Sequence, residues 1–210
     1  MNTGFFPDRR FDDIESFAAS YFERLATAAS SVDRGSLSAA AQLLIERAAN
    51  GSVFFSCGNG GSAAIANHLV CDCMKGVRTG SRLQPKVHSL STTVEMITAI
   101  ANDIGQEEIF SYQLAALACP GDVLIAISSS GASPNIVKAL RTAREKEVAT
   151  IAMTGFSGGE AASLADISLH VRAENYGVVE DVHQSLMHIL AQFLRHAHLH
   201  DPASLGSIKF

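Results

Sequence analysis

The chain has little charge: 18% of its 210 residues are Asp, Glu, Lys or Arg, against 47% hydrophobic. That balance belongs to globular folds and excludes a disordered chain. Excess positive charge is also missing. The formal charge is −5, and binding along a phosphate backbone rests on clustered Lys and Arg, so no nucleic-acid partner is expected. No apolar run approaches the ~20 residues that span a bilayer, so no membrane partner is expected either. The opening "MNTGFFPDRRFDDIESF" is too polar and acidic for a secretory signal, which makes the cytoplasm the expected location. Cys57, Cys71, Cys73 and Cys119 lack the paired CxxC spacing of a zinc site and are expected to be reduced and buried. His196, His198 and His200 alternate by two, which does not gather side chains on one helix face, and they predict a solvated helix end.

What remains is an α/β pattern. Phe17, Tyr21, Phe22 and Leu25 predict a helix over 17–28, and the same spacing predicts another over 37–49, with Ser36 as N-cap. Short strands are expected at 52–57, 86–90, 122–127, 149–154 and 167–171. Helices are expected at 63–74, 92–101, 106–117, from 134 to 147, and at 178–197. Strands that are apolar throughout imply a sheet covered on both faces, and their alternation with helices implies a parallel one. The expected fold is a single doubly wound domain, 1–210, with a five-stranded sheet and an N-terminal helical arm over about 10–50. Its ligand site should lie at the carboxyl ends of the strands.

Two small-residue loops sit at such ends. In "LIAISSSGASPNIVKAL" (124–140), Ser133-Pro134 reads as N-cap and first helical residue. Ser128, Ser129, Ser130 and Ser133 bring hydroxyls to amides at a helix start, a cradle for phosphate that needs no lysine. The other loop, "GNGGSA", fits a dinucleotide-type GxGxxA at Gly58, Gly60 and Ala63. No acidic residue ends the second strand to hold a ribose, and GxxxxGK[ST] is absent, so neither a dinucleotide nor Walker-type ATP binding is expected.

Within the apolar helix 63–74, His68 and Asp72 stand four apart on one face. They form either a simple helix pair or metal ligands or an acid–base unit. The last helix should bury Val179, Val182, Leu186, Leu190 and Phe193. Glu180, Asp181, Gln184 and His188 should lie on its solvated side, with His183 at the edge. Glu180 and His188 are two turns apart, roughly 12 Å along the axis at 1.5 Å per residue, which strains any metal shared between them.

"SCGNGGSAAIANHL", "AIANDIG", "GDVLIAISSSGASPNIVKAL", "MTGFSGGEAASLADISLHV" and "EDVHQSLMHIL" together resemble the sugar isomerase (SIS) domain family, and within it the phosphoheptose isomerases. The resemblance runs from about residue 15 to 195. It implies an aldose–ketose isomerase, acting most of all on sedoheptulose 7-phosphate through an enediol(ate), in a homotetramer with sites between chains. It implies that Asn59, Gly60, Gly61, Ser62, Asn102 and Asp103 touch the sugar while the four serines hold its phosphate. It implies one zinc on His68, Asp72, Glu180 and His188, with Asp72 as general base and His188 as general acid. Asp72 and Glu180 depart from the family's glutamate and glutamine, and an aspartate that the family carries before the last helix is missing near Gly177. These departures leave room for another sugar phosphate. The competing reading is a non-catalytic SIS protein that binds a phosphosugar or a replication-initiator protein.

Overall fold

The computed structural model describes residues 5–207; residues 1–4 and 208–210 of the expected domain lie outside it. Two helices lead, α1 (Ile14–Ser30) and α2 (Arg34–Ala49). Each is capped by a carboxylate: Asp13 accepts from the Ser16 amide at 2.7 Å, and Asp33 from the Ser36 amide at 2.6 Å. These bonds hold both carboxyls below their usual range. The N-cap of the second helix is therefore Asp33, three residues before the expected Ser36.

There follow β1 (Val53–Gly58), α3 (Gly61–Cys71), β2 (Lys86–Ser89), α4 (Val94–Asp103) and α5 (Ser111–Leu117). Then come β3 (Val123–Ser128), α6 (Pro134–Glu145), β4 (Ala149–Thr154), α7 (Gly159–Leu164), β5 (Ile167–His170) and α8 (Tyr176–Ala197). Helix α7 has no counterpart among the elements expected from sequence; it is only six residues long, too short for periodicity to register. The expected helix at 106–117 is a short 3-10 turn at Gln106–Glu108 followed by α5.

The sheet is parallel throughout, in the order β2-β1-β3-β4-β5. All six residues of β3 are buried, because neighbouring side chains feed opposite cores. Ile125 and Ile127 pack with Ile65, Ala66 and Leu69 of α3 and with the apolar stripe of α8. Leu124 and Ala126 pack with Ile136, Ala139 and Leu140 of α6 and with α4, α5 and α7. The helices after β1 and β3 thus leave to opposite faces of two adjacent strands. The crevice that opens between them is where open α/β sheets bind ligands.

Two details differ from expectation. Cys57 and Cys73 are buried, but Cys71 and Cys119 are exposed. Phe193 is 44% exposed, because the buried stripe runs through Leu190, Ala191 and Leu194 and leaves Phe193 beside it.

Candidate functional site

The two small-residue loops meet. Asn59, between β1 and α3, and Asn135, in the first turn of α6, exchange two amide hydrogen bonds of 2.9 and 3.0 Å. Asn135 is buried and is not among the residues that sequence singles out, since one Asn in a helix's first turn carries no distinctive signal. Its proximity to Ser133-Pro134 was the available cue.

In the serine loop, Ser133 takes the N-cap position and Pro134 follows it at the helix start, as expected. The Ser133 hydroxyl makes no capping bond to its own helix, which leaves it for another partner. Ser128 Oγ accepts from the Gly131 amide at 3.1 Å and Ser130 Oγ from the Ala132 amide at 3.3 Å. Ser129 Oγ is buried with no hydrogen-bond partner among the described residues. Backbone from the next loop braces this turn: the Ser129 carbonyl accepts from Gly155 at 2.8 Å and the Gly131 carbonyl from Ala161 at 2.9 Å.

Helix α3 starts at Gly61 without a side-chain cap. The Glu180 carboxylate lies against that start: a Cβ at Gly61 would fall 2.2 Å from Glu180 Oε2. Partial burial, with the neighbouring Asp181 charge, pushes the Glu180 carboxyl above its usual range. Asp181 accepts from the Tyr21 hydroxyl at 2.6 Å, tying α1 to α8. Burial and that acceptor raise the Tyr21 phenol to about 12.

Further along α3, His68 and Asp72 meet α8. At Asp72 the α-helix becomes a π-helical segment, Asp72–Val77, a distortion frequently found at functional sites. Asp72 Oδ1 lies 3.3 Å from His68 Nε2, and Oδ2 lies 2.7 Å from His188 Nδ1. The two imidazoles stand edge to face, 5.0 Å between centroids. Among the described residues, His68, Asp72 and His188 offer ligand atoms that all lie within 4.8 Å of one another. Two imidazoles and a carboxylate suit a divalent transition metal, with further coordination positions left for water or substrate.

Glu180, expected as a fourth ligand, is not part of that group. The axis of α8 is an unbroken α-helix from Tyr176 to Ala197, so the two turns between Glu180 and His188 are never shortened. The amide of Gln184 sits there instead, 3.2 Å from His68 Nδ1 and 2.9 Å from His188 Nε2. Asn102 and Asp103 hydrogen-bond each other at 2.6 Å on the exposed end of α4, and no bond joins them to either loop.

His183, expected at the edge of the stripe, is wholly buried, and among the described residues neither ring nitrogen makes a hydrogen bond of full geometry. Burial pushes its imidazole down to about 4, with the Thr154 backbone opposing and nearby His170 adding to the shift. The unfolded chain therefore binds this proton first as pH falls, and stability drops from about pH 6.5 until pH 4, by about 3 kcal/mol in all at 1.36 kcal/mol per unit. His183→Leu is expected to flatten that slope. Urea denaturation at pH 7 and pH 4.5 reads it, and an unchanged slope in the variant would assign the acid sensitivity elsewhere.

The SIS domain family matches residues 18–155. A phosphoheptose isomerase of Nitratidesulfovibrio vulgaris is 43% identical over 148 residues, 70% of this chain and 71% of its own. One from Rhodospirillum rubrum is 37% identical over 189 residues, 89% of this chain and 97% of its own. The solved structure of a phosphoheptose isomerase from Francisella tularensis superposes with a TM-score of 0.82 at 30% identity, covering 88% of this chain and 97% of that one. With the sheet order, the paired loops and these matches in agreement, the chain belongs to the SIS domain family, and within it to the phosphoheptose isomerase family.

Proposed function

We propose that the protein is an aldose–ketose isomerase of phosphorylated sugars, converting sedoheptulose 7-phosphate to D-glycero-D-manno-heptose 7-phosphate through an enediol(ate). The observation that carries this reading is the contact of Asp72 with His188, 2.7 Å apart at the crossing of two helices. The reaction moves a proton between C1 and C2. It therefore needs a base at carbon and an acid at the carbonyl oxygen, within reach of one another.

Asp72 takes the proton from C1 and returns it to C2, while His188 gives a proton to the C2 oxygen and takes one back from the C1 hydroxyl. Ser128, Ser129, Ser130 and Ser133, with the amides at the start of α6, hold the phosphate, so the reacting carbons reach the acid–base pair already oriented. Asn59, Gly60, Gly61 and Ser62 line the sugar between these ends. Gly61 is seven residues before His68, roughly 10 Å along α3, and a seven-carbon chain is suited to bridging such a gap. Asn102 and Asp103 are exposed and available to sugar hydroxyls.

His68, Asp72 and His188 would hold a divalent transition metal, and zinc is one of those that imidazole ligands suit. When bound, it polarises the sugar's oxygens as a Lewis acid. Glu180 faces the sugar at Gly61 instead of serving as a ligand, and the carboxylate there, where the family has an amide, sets a preference among sugars.

The protein works as a homo-oligomer, a tetramer with sites completed between chains. Ile14 and Phe22 of α1 and Ile189 and Phe193 of α8 support this, since all four are large apolar residues left exposed by the single chain. Turnover separates the enzyme from a phosphosugar-binding or initiator-binding relative. Incubation with sedoheptulose 7-phosphate should yield aldose signals by NMR, whereas no turnover of any heptose or hexose phosphate would make it a binder.

A further inference from the structure

Gln184 stands where helical periodicity places a solvated side chain, yet it closes a ring of four. Its amide nitrogen meets Nδ1 of His68 and Nε2 of His188, at 3.2 and 2.9 Å. Asp72 meets the other nitrogen of each ring, Nε2 of His68 at 3.3 Å and Nδ1 of His188 at 2.7 Å. A carboxylate only accepts, a neutral imidazole has one N–H and one lone pair, and an amide nitrogen has two N–H groups. With the amide nitrogen between the two rings, one assignment satisfies all four contacts. Both imidazoles are neutral with their protons toward Asp72, and Gln184 donates one N–H to each remaining lone pair.

We propose that Gln184 is a positioning residue that sets the tautomers of His68 and His188 together. The proposal rests on reading His68, Asp72 and His188 as a cation site. A divalent cation that takes the two ring nitrogens beside Asp72 obliges each ring to carry its proton on the nitrogen that faces Gln184. Turning the amide by half a revolution exchanges Nε2 for Oε1, whose two lone pairs accept both protons. Gln184 therefore serves either tautomer pair, and it couples them: the two rings switch as one. Groups that hold the far N–H of a ligating histidine are typically worth 10- to 100-fold in metal affinity. Glu180 plays no part in this ring, which makes the two α8 residues separable.

Gln184→Met keeps the length of the side chain and loses both hydrogen-bonding atoms. Side-chain 15N NMR on EDTA-treated protein should show His68 protonated at Nε2 and His188 at Nδ1 in the wild type. In the variant His188, 2.7 Å from Asp72, should keep its tautomer while His68, at 3.3 Å, becomes mixed. Calorimetric titration with Zn2+ should show affinity about 10- to 100-fold weaker in Gln184→Met and unchanged in Glu180→Gln, with the same urea midpoint for all three. Wild-type tautomers and Zn2+ affinity in Gln184→Met would overturn the proposal. A wild type that takes up no Zn2+ would overturn the cation reading, and the metal-free tautomer comparison would still decide the role of Gln184.

Discussion

Asp72→Asn is expected to lower turnover of sedoheptulose 7-phosphate by roughly 10³-fold or more, near the upper part of the range for removing a general base. That is about 4 kcal/mol of transition-state stabilisation. The substitution is nearly isosteric, so the π-helical turn and its packing on α8 should survive. What changes is the chemistry: an amide cannot take a proton from carbon, and its nitrogen presents a donor where one of the two imidazoles now meets an acceptor. Phosphosugar affinity should change only a few-fold, because the proposed phosphate cradle lies at the start of α6, away from Asp72. The informative readout is exchange of the C1 and C2 protons with D2O, followed by NMR beside a calorimetric affinity. Exchange at the wild-type rate would remove Asp72 from the mechanism.

Gly131→Ala is expected to be the most damaging change in the proposed phosphate loop. Gly131 has φ +66°, a left-handed backbone that destabilises an alanine by roughly 1–2 kcal/mol. Steric overlap adds more. A Cβ there would lie 1.9 Å from the Gly158 carbonyl oxygen, and a Cβ at Gly159 would likewise meet the backbone of Gly131. The loops after β3 and β4 touch backbone to backbone, so no side chain can rotate away to make room. A total near 4 kcal/mol, at the top of the range for single substitutions, follows for urea denaturation. Phosphosugar binding should fall in parallel, since the bonds from Gly155 and Ala161 that brace Ser129 and Gly131 would be displaced. Wild-type stability and affinity in Gly131→Ala would mean that this crossing does not shape the cradle.

The serine loop was legible in the sequence because small residues followed an apolar strand and a proline opened the next helix. The two-faced sheet was legible because β3 is apolar on both of its sides. His68 and Asp72 were legible as a pair because i,i+4 spacing needs no tertiary knowledge. The join between Asp72 and His188 was not, since it depends on how α3 and α8 cross, and 116 residues separate them. The same crossing explains Gln184, whereas His183 is covered from the sheet side, beside Thr154 of β4 and His170 of β5. Periodicity sorts a helix into one buried and one wet face, but α8 packs on the sheet and also against α3 and its π-helical extension. A second side of α8 is thereby covered. Asn135 was hidden for a related reason: its partner, Asn59, lies on another strand's loop.

The proposed reaction needs the serine loop and the Asp72–His188 pair to act on one molecule at once, and a crystal structure with bound sedoheptulose 7-phosphate tests this most directly. The phosphate is expected within hydrogen-bond distance of residues 128–133, with C1 and C2 beside Asp72 and His188. A phosphate lodged elsewhere, or a sugar bound with its carbonyl end away from Asp72, would contradict the proposed chemistry.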